Sequence, residues 1–185
     1  MNVNAVNDSL SFARKRLDEL KKLNNGNLAG AKNEDRQILI QEFFYHLVSA
    51  IEILAQVVNK SKQLRIPDSE VNARNVSKRL GQTDPIGCLI GSLYPKTRCN
   101  GHWIRLPEDP YSEGGNHFRI LVFRHWVSHS GENPFAIRWG DGPHISLFLD
   151  PRYQDLGGSK LPAIDELEAF WSLVNGKCQE VIRNL

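Results

Sequence analysis

The chain lacks the signatures of several common function classes. Its three cysteines, Cys88, Cys99 and Cys178, are widely spaced and form no C-x-x-C pair, so neither a disulfide framework nor a thiolate zinc site is expected. Reduced thiols without a special role are the expectation. No G-x-x-x-x-G-K-[ST] or G-x-G-x-x-G spacing occurs, which excludes a phosphate-cradling loop of either kind, and Gly140-Asp141-Gly142 does not supply one. No Ser or Cys nucleophile motif, repeat or low-complexity tract is present. The polar start MNVNAVNDS has no basic segment followed by an apolar one, and no uninterrupted apolar run approaches membrane-spanning length. A cytoplasmic protein without membrane contact is therefore expected.

Charge of one sign is also missing overall, since the formal net charge is only +2. The distribution is uneven. Between Lys60 and Arg105, nine Lys/Arg (60, 62, 65, 74, 78, 79, 96, 98, 105) face only Asp68, Glu70 and Asp84. Such a segment is either a solvated face or the footprint of an anionic partner such as RNA. With 185 residues, 41% of them apolar, the chain is long enough for a proper core, and its length favours a single domain over 1–185.

What is present is mostly helical periodicity. Asp8 or Ser9 caps a first expected helix to Leu23, with Leu10, Ala13, Leu17 and Leu20 on one stripe and Arg14, Arg16, Lys21 and Lys22 opposite. From Glu34 to Lys62, Ile40, Phe43, Leu47, Ile51, Leu54 and Val58 recur at three- and four-residue spacing, as in the central helix of a bundle. Its other side carries Glu42, His46, Ser49, Glu52, Gln56 and Asn59, facing water or forming one wall of a cleft. Asp68 or Ser69 caps a helix through Leu80 that Gly81 closes, and Asp84-Pro85 starts a short one to Leu93. Arg98 to Gly115 reads as an ordered loop. Phe135–Trp139 and His144–Leu149 alternate around a Gly-rich turn, which predicts a small β-hairpin before a closing helix that opens at Pro162 or Asp165. The expected fold is mainly α: a bundle of about five to six helices with a small β-hairpin insertion before the C-terminal helix.

The residues with most chemical potential lie in Phe118 to Phe135, FRILVFRHWVSHSGENPF. Its apolar residues wrap nearly the whole helix circumference, so Arg124, His125 and His129 need partners or a cleft there. Gly131, Asn133 and Pro134 end the helix and leave His129 on its last turn. Arg124 and His129 form R-x-x-x-x-H within FRHWVSH, and this motif resembles the HEPN superfamily of small helical-bundle domains, with His125 in the polar position that follows the Arg. The order of a long acidic-bearing helix, a motif helix, an extended connection and a closing helix, over about residues 34 to 185, is similar as well.

The resemblance implies metal-independent ribonuclease activity, with no cofactor, at a cleft between two copies of the chain. Arg124 and His129 would then be catalytic, with His125 assisting and Glu42 and His46 in support. The chemistry suits the residues, because attack of a ribose 2′-OH on its phosphate needs an acid, a base and positive charge on the phosphoryl oxygens. On an ideal helix Arg124 and His129 lie about 140° apart, whereas His125 and His129 lie about 40° apart. The Arg–His pair therefore converges across a two-fold axis more readily than within one chain.

Three other readings stay open. The pairs Glu42/His46 and His125/His129, each at i, i+4, could bind a metal such as zinc, iron or manganese between two helices. Arg124 could instead pair with Glu42 or Glu52 for structural reasons alone. A noncatalytic module that binds another protein or nucleic acid is the third. His102 and His144, beside Trp103 and Trp139, could extend an RNA surface by stacking bases.

Overall fold

The computed structural model describes residues 3–25, 33–81, 83–93, 119–120, 135–139, 143–147 and 162–185. Five helices stand among them: α1 (Val3–Asn25), α2 (Asn33–Ser61), α3 (Ala73–Leu80), α4 (Pro85–Ser92) and α5 (Ala163–Arg183). Arg119 and Ile120 are helical too. The expected mainly α class is what the chain adopts.

α2 is central because its apolar residues occupy more than one face. Ile40, Phe43, Phe44, Leu47, Val48, Ala50, Ile51, Leu54, Ala55, Val57 and Val58 are all buried. α1 runs alongside it, and α3 and α5 also pack on it. By length and composition Glu34–Ser61 could cross a membrane, yet half of its most apolar window is buried inside the protein. Its neighbours α1, α3 and α5 cover that half.

α1 buries Val6, Leu10, Ala13, Leu17 and Leu20. It begins at Val3, ahead of the expected Asp8 or Ser9 cap. Val6 lies one turn before Leu10 on the same stripe, so packing carries the helix through Asp8 and Ser9. α5 buries Leu167, Phe170, Val174, Cys178 and Val181 and starts at Ala163 after Pro162. Trp171 donates its indole N–H to the carbonyl of Leu10 at 3.0 Å, and Glu168 pairs with Arg14 at 2.6 Å and with Lys21, which clamps α5 to α1.

The short helices follow local rules. The expected helix from Asp68 or Ser69 is instead a 3-10 turn, Asp68–Glu70, followed by α3 with Asn72 as its cap. The Asn72 side chain accepts from the Asn75 N–H at 2.9 Å, an arrangement neither Asp68 nor Ser69 provides here. Gly81 ends α3 at φ +88°, where a side chain would be strained. Asp84 caps α4 by accepting from the Gly87 N–H, with Pro85 in the first turn, as its sequence leads one to expect. Ser77 donates to the Gly87 carbonyl at 2.7 Å, which joins α3 to α4.

The backbone segments Phe135–Trp139 (β1) and Pro143–Leu147 (β2) run side by side and antiparallel, with Ile137 opposite Ile145. Two short strands alone are marginal in water. The expected hairpin is therefore no independent unit of the architecture, which the helices define.

The close approach of α3 and α4 can be tested directly. A Cβ on Gly87 would lie 2.6 Å from the Gly81 carbonyl oxygen, and that oxygen is backbone that cannot swing aside. Gly87→Ala is expected to cost about 1–3 kcal/mol in denaturant unfolding through overpacking. Gly176→Ala, which meets nothing within 4 Å in α5, should be neutral or stabilising.

Candidate functional site

Arg124, His125 and His129 lie outside the described residues, as do His102 and Trp103. Trp139 and His144 are described in backbone only, on β1 and β2. What the structure does show next to the motif is Arg119, five residues ahead of Arg124 in the chain. Its Nε donates to Glu166 Oε1 at 2.7 Å, and the two side chains are 3% and 0% exposed. The guanidinium also sits 5.2 Å from the centre of the Phe170 ring.

This pair has a clear local origin. Glu166 lies in the first turn of α5, where the helix dipole favours a carboxylate. It also falls four residues before Phe170, on the stripe α5 turns inward. An ion pair without water is tolerated only while both partners remain. It therefore ties the entry to the motif stretch firmly to α5. The sequence does carry a signal for it: an Arg in the apolar run FRILVF requires a buried carboxylate, and Glu166 lies on the apolar side of its helix. Neither residue belongs to a recognisable motif, so pattern alone points past Arg119 to Arg124.

Glu42 and His46 lie on α2, and both meet side chains of α1. Glu42 Oε2 meets Arg16 Nε at 2.5 Å, while Arg16 Nη1 meets Glu19 Oε2 at 2.7 Å. Arg16, which the helical stripe places opposite the apolar side of α1, is thus the cation that holds Glu42. The His46 ring stacks on Phe12, with centroids 5.2 Å apart and planes 30° apart, and Tyr45 meets its edge at 5.3 Å. Partial burial, then the nearby Arg16 charge, push the His46 pKa below the ordinary imidazole value, against an opposing pull from Glu42. His46 is accordingly neutral near pH 7.

These surroundings bear on the metal reading. A guanidinium already occupies the Glu42 carboxylate, and its charge sits beside the imidazole, which opposes a divalent cation at that spot. Among the described residues no group of three or more His, Cys, Asp or Glu is arranged to hold a metal. Of the cysteines, Cys178 is buried and burial pushes its thiol up to about 12, which makes it unreactive. Cys88 is exposed, and Cys99 lies outside the described residues.

The basic segment forms the third feature. Lys60, Lys62, Arg65, Arg74, Lys78 and Arg79 are all exposed. None of the six pairs with a carboxylate of the described residues. Lys62 and Arg65 are presented by a tight turn with positive φ at Gln63 and Arg65. Buried Asn59 closes that turn with its side chain, donating to the Ile66 carbonyl at 2.9 Å and accepting from the Ile66 N–H at 3.1 Å. Periodicity places Asn59 on a polar stripe, and its role is visible only once the chain folds back. On α3, Arg74 and Lys78 are one turn apart, with Ala73 and Val76 buried on the other side. Lys96, Arg98 and Arg105 lie outside the described residues.

Comparison of the chain with family models, curated proteins and solved structures finds no match to any of them. Function must therefore be read from the residues themselves.

Two outcomes are expected from this geometry. Glu166→Ala, leaving Arg119 buried without its carboxylate, should cost about 3–5 kcal/mol in chemical denaturation. For His46, the fold favours the neutral ring, so its contribution to stability is present above the unfolded value of about 6.5 and fades as pH falls from there through the lower folded value. An NMR titration should place His46 below the unfolded value, and Arg16→Gln should move it upward.

Proposed function

We propose that the chain acts on RNA as a homodimer, either cleaving it without a metal or binding it at the cleft between two copies. The observation that carries this reading is the set of six exposed cations along the α2–α3 connection and the outer side of α3, none paired with a carboxylate among the described residues. Salt-bridged surface charges are neutral to their surroundings, whereas unpaired ones can neutralise phosphates and release the ions condensed on a nucleic acid. The resemblance of FRHWVSH to the HEPN motif supports the cleavage half of the reading.

In that mechanism Arg124 binds the scissile phosphate with its planar fork and offsets charge on the phosphoryl oxygens. His129 takes the 2′-OH proton or gives one to the departing 5′-oxygen. The 2′-oxygen bonds to phosphorus as the phosphorus–5′-oxygen bond breaks, so the products are a 2′,3′-cyclic phosphate and a 5′-OH. His125 orients the pair or contacts the RNA. Glu42 and His46 belong to the supporting structure, since Arg16 and Phe12 hold them.

Purified protein incubated with mixed RNA in EDTA should yield fragments ending in 2′,3′-cyclic phosphate, and His129→Ala should abolish them with the fold intact. Undiminished cleavage by that variant would refute the catalytic assignment. In the same preparation, reversing Arg74, Lys78 and Arg79 to Glu should weaken RNA binding and flatten its salt dependence by about 0.7 log unit for each phosphate that is no longer neutralised. Retained binding with an unchanged salt slope would sink the RNA reading itself.

A further inference from the structure

The homodimer in the proposed function needs a contact surface, and one face of the helix pair α1–α2 has the makings of it. The large hydrophobic side chains exposed among the described residues are Phe12 at 50%, Ile38 at 52% and Tyr45 at 62%. All belong to these two helices. Phe12, His46 and Tyr45 form one contiguous aromatic row, ring against ring at 5.2 and 5.3 Å. Exposed apolar residues scattered singly are ordinary, but a row of touching aromatic rings in water is not, and such rows with Arg beside them are typical of protein contacts.

Charge selects the occupant. Val3–Asn25 carries five Lys/Arg against Asp8, Asp18 and Glu19, while Asn33–Ser61 carries Glu34, Asp35, Glu42 and Glu52 against Arg36 and Lys60. Lys15 and Lys22 are exposed on α1, and Glu34, Asp35 and Glu52 on α2. With exposed Asp8 on α1 and exposed Lys60 on α2 counted as well, the excess charge remains basic on α1 and acidic on α2. The pairs Phe12–His46 and Arg16–Glu42 show that α1 and α2 run antiparallel across it. A two-fold axis lying in the plane of the contact, between the helices and parallel to them, sets α1 of one copy against α2 of the other, positive against negative. An RNA strand is the poorer occupant, because Glu19 and Glu42 already surround Arg16 and would repel phosphates.

We infer that the α1–α2 face around Phe12, Tyr45 and Ile38 is the isologous contact between two copies of this chain. Tyr45 and Phe12 are its apolar anchors, and the unlike charges of the two helices set its register. This inference rests on the homodimer of the proposed function and assigns it a contact surface.

Sedimentation equilibrium of the full chain tests it, with circular dichroism as the check on folding. Wild-type protein is expected to be a dimer whose dissociation constant rises with added NaCl. Tyr45→Glu, Phe12→Glu and Ile38→Arg should each weaken association about thirtyfold or more while helicity stays unchanged, since the side chains removed are exposed. Glu180→Lys, exposed on α5, should leave the dimer intact. If one face variant fails to fold, the other two carry the test. Face variants that remain dimers would overturn the inference and leave the RNA reading standing with a dimer made elsewhere. A monomeric wild type would overturn both the face and the homodimer.

Discussion

The structure depends on how much of α2 must be kept from water. Its buried residues occupy successive positions such as Phe43–Phe44, Leu47–Val48 and Leu54–Ala55, too broad an arc for one neighbour to cover. Burial of such a surface is the main favourable term in folding, at roughly 25 cal/mol for each Å² of apolar area. α1 covers one side along its length, α5 reaches another through Phe170 against Phe44, and α3 closes part of a third. Each of the other helices then needs only a single apolar stripe.

Charged groups are arranged around that requirement in three different ways. Between α1 and α5, Glu168 meets Arg14 and Lys21 at the protein surface, where an ion pair contributes little but orients the helices. Between Arg119 and Glu166 the pair is sealed from water, so its geometry is enforced by the cost of separating the partners. From the last turn of α2 through the connection and onto α3, six exposed cations have no carboxylate partner among the described residues. A surface of that kind suits an external polyanion, whereas the paired charges of α1 and α5 serve the packing of the helices.

Glu42 shows why the site was harder to read than the fold. Its neighbours along α2 mark it as polar, and spacing alone relates it to His46. Nothing in the spacing identifies Arg16, which comes from a separate helix and reaches Glu42 only because α1 and α2 pack antiparallel. Phe12 against His46 is the same kind of contact. Arg119 and Glu166 are separated by 47 positions, and their pairing follows from where α5 docks. Long-range partners of this kind are set by packing, and periodicity along one helix holds no record of them.

By itself the sequence determined the mainly α class, the span of α2, the buried stripe of α1, and the Asp84-Pro85 start of α4. These are local consequences of apolar spacing and capping chemistry, which act within a few residues. The early start of α1 at Val3, the Asn72 cap and the Asn59-closed turn were decided by tertiary structure, because each depends on contacts made after the helices meet. So were the partner of Glu42, the sealed Arg119–Glu166 pair and the aromatic row on the α1–α2 face. The physical reason is the same throughout: a helix can be recognised from its own residues, whereas the environment of a charge is created by its neighbours.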